Sequence, residues 1–100
     1  MRLEWSIFAQ ADRDAIFDYI EQDSPQAAII IDGRIRVRIE TLKHFPKSGR
    51  IGRVEGTREL VIQRTPYIAA YRIHADRVQI LRILHGSRLW PDEMSGEPLE

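Results

Sequence analysis

The chain has no cysteine, which excludes disulfide staples, thiolate chemistry and cysteine-rich zinc sites, and suits a reducing compartment. It also lacks any apolar run long enough for a signal peptide or a bilayer span, so a cytoplasmic protein with no membrane partner is expected. Its three histidines, His44, His74 and His85, do not fall at helical or hairpin metal-site spacing, so no metal and no cofactor is expected. Internal repeats, low-complexity linkers and the motifs of familiar metabolic enzymes are missing too. With 100 residues, one domain with a modest core is expected, placed over residues 1–91 and followed by a weakly patterned acidic tail over 92–100.

Net charge is absent as a sum but not as a distribution. Residues 1–32 carry two arginines against seven acids, residues 33–64 nine basic residues against three glutamates, and residues 65–100 four arginines against five acids. A basic middle block attracts nucleic acid or an acidic protein segment. Arginines on a helix also pair locally with acids, and most of these charges read as a solvated helix face and loop.

Periodicity organises the rest. Leu3, Trp5 and Ile7 alternate, predicting a strand over 2–7. Ala9, Ile16, Tyr19 and Ile20 share one side of a helix over 9–22. Ser24 before Pro25 is a start signal: the serine accepts a first-turn N–H, and proline at the first helical position needs none. The second helix is predicted to run to about His44. Ala28, Ile31, Ile35, Ile39 and Leu42 form its sheet-facing stripe, and Ile30 and Val37, nearly opposite, are expected to pack on the first helix or to serve a partner. Gly33 reads as a point of close helix approach, and residues 46–56 as a basic, glycine-containing loop.

The stretch from Gly56 to Pro91 holds three short apolar runs separated by turn signals, a meander with strands over 58–64, 67–74 and 77–85. The last run, VQILRILH, carries apolar residues on both faces, and the charge of Arg82 among them calls for a partner. The order βααβββ defines an α+β fold, a helical hairpin packed on a small, mainly antiparallel sheet.

The ordered pieces ADRDAIFDYI, SPQAA, FPKSGR, GTRELVI, TPYIAAYRI and ILRILHGSRLWP resemble the toxins of type II toxin–antitoxin modules, in the superfamily that includes ParE and RelE. The tyrosine-bearing third strand and the closing RILHG are most similar to the ParE branch. The resemblance implies a small cytoplasmic bacterial toxin of the plasmid-stabilisation type, held in a hetero-oligomer by a cognate antitoxin. ParE-like toxins are described as inhibitors of DNA gyrase; RelE-like toxins are ribosome-dependent endoribonucleases that cut messenger RNA.

Cleavage by a 2′-hydroxyl needs a base, charge stabilisation at phosphorus and often an acid. The candidates for that chemistry are Arg58, Arg82 and His85. Ribonuclease relatives carry an arginine three positions before the third-strand tyrosine, where this chain has Ile68 before Tyr71. The set is incomplete, which favours gyrase inhibition by protein binding, with ribosome and messenger as the alternative partners. The structural alternatives are specific: Arg58 pairs with Glu55 or Glu59 or holds the loop, and His85 ends its strand with a ring hydrogen bond. Arg13, Ile30, Val37 and Trp90 are the candidates for target or antitoxin binding. Arg13 would snorkel past Phe17 or accept an acidic antitoxin side chain, and Trp90 would pack into the domain or face a target.

Overall fold

In a computed structural model of the chain, residues 1–97 are described. The order is β1 (Arg2–Trp5), α1 (Ile7–Glu21), α2 (Pro25–Glu40), a short 3-10 turn (Thr41–Lys43), β2 (Arg50–Ile51), β3 (Arg58–Val61), β4 (Tyr67–Ile73) and β5 (Arg77–His85). The five strands form one sheet in the order β1-β5-β4-β3-β2. β1 runs parallel to β5 because the helical hairpin carries the chain back across one face; the other neighbours are antiparallel.

Serines set where both helices begin. β1 stops at Trp5 rather than Ile7 because Ser6 is buried and does three things there. Its amide donates to Ile80 O (2.9 Å), its hydroxyl donates to Leu81 O (2.7 Å), and the same oxygen accepts from Ala9 N (3.0 Å) as the N-cap of α1. Ser24 caps α2 through Ala27 N (3.1 Å), with Pro25 at its first position. α2 ends four residues before His44. Thr41 turns its hydroxyl back onto Arg38 O (2.6 Å) and the helix tightens into the 3-10 turn.

The core lies between the hairpin and the sheet. Ala28, Ile35, Ile39 and Leu42 are buried and Ile31 partly so, the predicted stripe. Ile30 and Val37 do not pack on α1: they are 52% and 56% exposed. The two helices lie side by side in one layer on the sheet, α1 touching both α2 and β5. The side of α2 turned away from the sheet therefore meets solvent rather than α1. Gly33 is not a close approach either, since a Cβ there meets nothing within 4 Å.

β5 departs from strict alternation. The pairing shifts register between Ala70 and Tyr71, leaving Leu81 without a partner. That bulge lets Val78, Ile80 and Ile83 all join the helix-side core, while Leu81 joins Ala70 and Met94 in a second cluster. Both faces of the strand are thus apolar. Residues 92–97 help to cover the second face: Met94 is buried, Gly96 O accepts from the Gln79 amide, and Glu97 O accepts from Ile7 N (2.9 Å). The rest of the predicted tail, 98–100, lies outside the described residues.

β2 falls inside the stretch expected to be loop. Two residues are too short for a periodic signal, and the strand is held by its pairing Arg50↔Glu59 and Ile51↔Arg58. β3 ends at Val61 rather than 64. Arg64 takes a positive φ of 64° in the turn, and Thr65 closes it, donating to Ile62 O (2.8 Å) and accepting from Tyr67 N (3.0 Å).

Candidate functional site

The three candidates for phosphate chemistry lie at separate places. Arg58, opening β3 opposite Tyr71, holds the loop: its guanidinium donates to Gly49 O (2.8 Å) and Lys47 O (3.3 Å). Neither predicted acid is its partner. Glu59 follows it directly on a strand and so points to the other face. The same loop is pinned from inside by Tyr71, fully buried, whose hydroxyl donates to Pro46 O (2.7 Å) and accepts from Gly49 N (2.9 Å). Burial, offset in part by the Gly49 amide and nearby arginines, pushes the Tyr71 phenol above its ordinary pKa. Gly49 is required here, because a Cβ would stand 2.6 Å from that hydroxyl.

Arg82 finds its partner on α1. Its Nε and Nη2 meet the Asp12 carboxylate at 2.7 and 2.9 Å, and Asp12 also accepts from Ile83 N at 2.9 Å. Asp12 thereby satisfies the edge of β5 beyond the last β1 pairing, Trp5↔Ile80. The hydrogen bond to the Asp12 carboxylate, working against desolvation, raises the Arg82 pKa further. Arg82 pairs across from Ala70 and Arg58 across from Tyr71, so the two arginines start from opposite faces of the sheet.

His85 closes β5 opposite Tyr67, the two rings edge to face at 5.8 Å. Its Nδ1 accepts from the Ser87 amide (3.2 Å), the strand-ending ring hydrogen bond anticipated above. Among the described residues no three histidine, aspartate or glutamate side chains are grouped to hold a metal ion.

Arg13 reaches α2 rather than solvent. It forms a two-pronged pair with Asp32 (2.7 and 2.9 Å) beneath which lies the Trp5 ring, 5.3 Å from the guanidinium carbon. The Arg13 hydrogen bond, outweighing burial, holds the Asp32 carboxyl below the usual aspartate range. Trp90 packs into the domain: its indole N–H donates to His85 O (3.0 Å) and Arg53 stacks 3.6 Å above its ring. Ile30 and Val37 border an open groove with Gly33, Arg34, Arg38 and Arg64. Arg34 and Arg38 are tied to β3 and its turn through Arg64 O (3.1 Å) and Val61 O (3.3 Å). The result is an apolar strip edged by guanidinium groups.

One constellation escaped sequence reasoning. Glu59 is 3% exposed, yet it is a carboxylate accepting from Arg50 (3.1 Å), from Arg53 Nε (3.1 Å) and from Arg53 N (2.8 Å). Burial alone raises its pKa; the hydrogen bonds from Arg53 and Arg50 outweigh it and the net shift is downward. The available signal was strand parity, which places Glu59 opposite Arg58 and free to meet the basic loop.

These features define a small α+β domain whose polar residues largely hold the fold together, with Ile30, Val37 and Phe45 left exposed. The sequence model of the ParE toxin family, described as "ParE toxin of type II toxin-antitoxin system, parDE", matches residues 3–90. The chain belongs to that family. It is 43% identical over 90 residues to "Putative toxin Y4kP" of Sinorhizobium fredii, covering 90% of this chain and 93% of the relative. To "Toxin RelE2" of Caulobacter vibrioides it is 39% identical over 85 residues, covering 85% and 94%. A solved structure described as "Chromosomal ParDE TA system from P. aeruginosa" superposes with a TM-score of 0.75 at 35% identity, covering 83% of this chain and 92% of the other.

Proposed function

We propose that this toxin acts by binding a protein target, DNA gyrase, and is neutralised by a cognate antitoxin. The observation that carries the reading is the dispersal of Arg58, Arg82 and His85. The first is spent on loop carbonyls, the second on Asp12 across the edge of β5, and the third on Ser87 at the strand end. Stabilising a phosphorane needs donors converging on one set of oxygens. Arg58 and Arg82 start from opposite faces on β3 and β5, and His85 closes β5 opposite Tyr67, away from the Arg58–Tyr71 row. At the position where ribonuclease relatives carry arginine stands Ile68, 8% exposed.

The antitoxin partner rests on family membership and on the ParDE assembly named for the structural neighbour. We infer that it docks along Ile30 and Val37, where an amphipathic acidic segment would find apolar contact and the guanidinium groups of Arg34, Arg38 and Arg64. Arg13 and Trp90 are instead engaged within the domain, the first with Asp32 and the second with His85 O and Arg53. The similarity to "Toxin RelE2" is the observation behind a second reading, ribosome-dependent messenger cleavage. Purified toxin added separately to gyrase supercoiling and to ribosomes programmed with messenger decides between them. Gyrase inhibition without site-specific cuts is the expected result. Cuts that vanish in Arg58→Ala, Arg82→Ala or His85→Ala, with gyrase unaffected, would install the ribonuclease.

A further inference from the structure

The loop between α2 and β2 is anchored from inside the core. Tyr71, the largest fully buried side chain, reaches out of β4 to hold Pro46 O and Gly49 N. Arg58 adds bonds to Lys47 O and Gly49 O, Ser48 N donates to Phe45 O (3.1 Å), and Phe45 N donates to Thr41 O (3.0 Å). The glycine at 49 is the only residue that fits beside the Tyr71 hydroxyl without displacing something. Yet the side chain this framework holds in place is an aromatic in water: Phe45 is 66% exposed, with the His44 ring edge-on at 6.5 Å. A loop that merely joined two elements would need neither the anchors nor the phenylalanine.

We propose that the loop Phe45–Ser48 is the docking point for the toxin's target, a protein presenting an apolar pocket rimmed by carboxylates. The inference rests on the target-binding reading above and names its contact. Charge sets the partner's chemistry. Residues 43–58 carry Lys43, Lys47, Arg50, Arg53 and Arg58 against Glu55 and Glu59. Glu59 alone serves both Arg50 and Arg53, Lys43 is paired with Glu40 (2.9 Å), and Lys47 has no ion pair among the described residues. Positive charge is therefore left beside Phe45. The cleft at the loop is formed by Phe45, Pro46, Lys47 and Ser48, an apolar surface with one free cation. A nucleic-acid backbone would call for a row of cations along its phosphates; an aromatic anchor on a pre-ordered loop with a single flanking charge is the pattern of a protein hot spot. Pre-ordering also removes the entropy cost of fixing the loop on binding. The site is separate from the antitoxin groove: that groove lies beside Arg64, past the end of β3, and the loop beside Arg58 at its start.

The test uses the full chain, obtained from its complex with the neighbouring gene product, with Phe45→Ala and Lys47→Glu. Both side chains are exposed, so thermal melts and antitoxin affinity should match the wild type. Growth arrest on expression without antitoxin should be relieved in Phe45→Ala. The toxin concentration for half-inhibition of purified gyrase should rise roughly tenfold or more. Lys47→Glu should show a smaller rise that shrinks as salt is added. Phe45→Ala that arrests growth and inhibits gyrase like the wild type overturns the proposal, as does parallel loss of antitoxin binding. If the wild type arrests growth and cuts messenger on ribosomes, with Phe45→Ala impairing the cutting, the loop contacts the ribosome or its RNA and the acid-rimmed protein pocket is wrong. If the wild type does not arrest growth at all, the target-binding reading falls and the docking point with it.

Discussion

Separating structural from chemical duty at Arg82 is a matter of unfolding energetics. Asp12 accepts three hydrogen bonds, two from a guanidinium and one from Ile83 N, with side-chain exposures of 28% for Arg82 and 16% for Asp12. Asp12→Ala strands the amide and leaves the cation partly desolvated; partial exposure lets water recover some of the loss, so the cost is about 3 kcal/mol, at the lower end for a broken buried pair. In a domain of this length that is a fall in Tm of roughly 12 °C or more. Arg82→Met keeps the Ile83 bond and should cost about 2 kcal/mol, and the double variant about 3 rather than the sum, because the pair has already been lost. Urea unfolding followed by tryptophan fluorescence measures all three. Arg82→Met with an unchanged midpoint would refute the reasoning, and loss of toxicity at that unchanged midpoint would give Arg82 a direct role in the toxin's action.

Glu59→Gln should destabilise the fold by about 2 kcal/mol at pH 7, since a buried carboxylate serving two arginines is replaced by a neutral acceptor. Because the folded Glu59 and Asp32 carboxyls are held below their ordinary values, the stability they contribute is complete above the unfolded pKa of about 4 and is lost as pH falls through the folded values. Denaturant midpoints against pH should therefore drop below about pH 4 in the wild type and show a shallower acid limb in Glu59→Gln. Ile30→Asp and Val37→Asp, at positions already half in water, should leave the melt unchanged while weakening antitoxin binding by roughly tenfold or more in calorimetry. Trp90→Ala should cost about 2 kcal/mol in urea unfolding through lost packing and the indole bond to His85 O; an unaltered midpoint would mean that the ring is held for a partner instead.

Local signals in the sequence were legible where one element decides the outcome. The Ser24–Pro25 start, the Ala28, Ile35, Ile39 and Leu42 stripe, and the pair of strands around Ala75 and Asp76 depend on neighbours a few residues away. What failed depends on how elements lie against each other. A stripe opposite the sheet, Ile30 and Val37, packs on the first helix if helices stack and meets solvent or a partner if they share a layer, and α1 and α2 share a layer. The need of Arg82 for a partner followed from its apolar surroundings, but Asp12 lies 70 residues away and no spacing rule connects them. The Glu59 cluster and β2 were hidden together: a two-residue strand has no period, and only the sheet brings Arg50 and Arg53 to one carboxylate.

The same arrangement explains how a chain with a basic middle third need not be a nucleic-acid binder. Cations read along the sequence as one block are divided in three dimensions. Arg50 and Arg53 turn to Glu59, Arg58 to loop carbonyls, Arg34 and Arg38 to the carbonyls of Arg64 and Val61, and Lys43 to Glu40. A phosphate backbone binds to charge that is both exposed and uncommitted, and here guanidinium groups are used mainly as donors that hold turns and strand ends. Their residual positive field surrounds apolar side chains, Ile30 and Val37 at one end of β3 and Phe45 at the other. Apolar anchors edged by cations, arginines at Ile30 and Val37 and Lys47 at Phe45, suit protein partners with acidic rims, because the hydrophobic contact supplies affinity while the charge sets orientation and encounter rate.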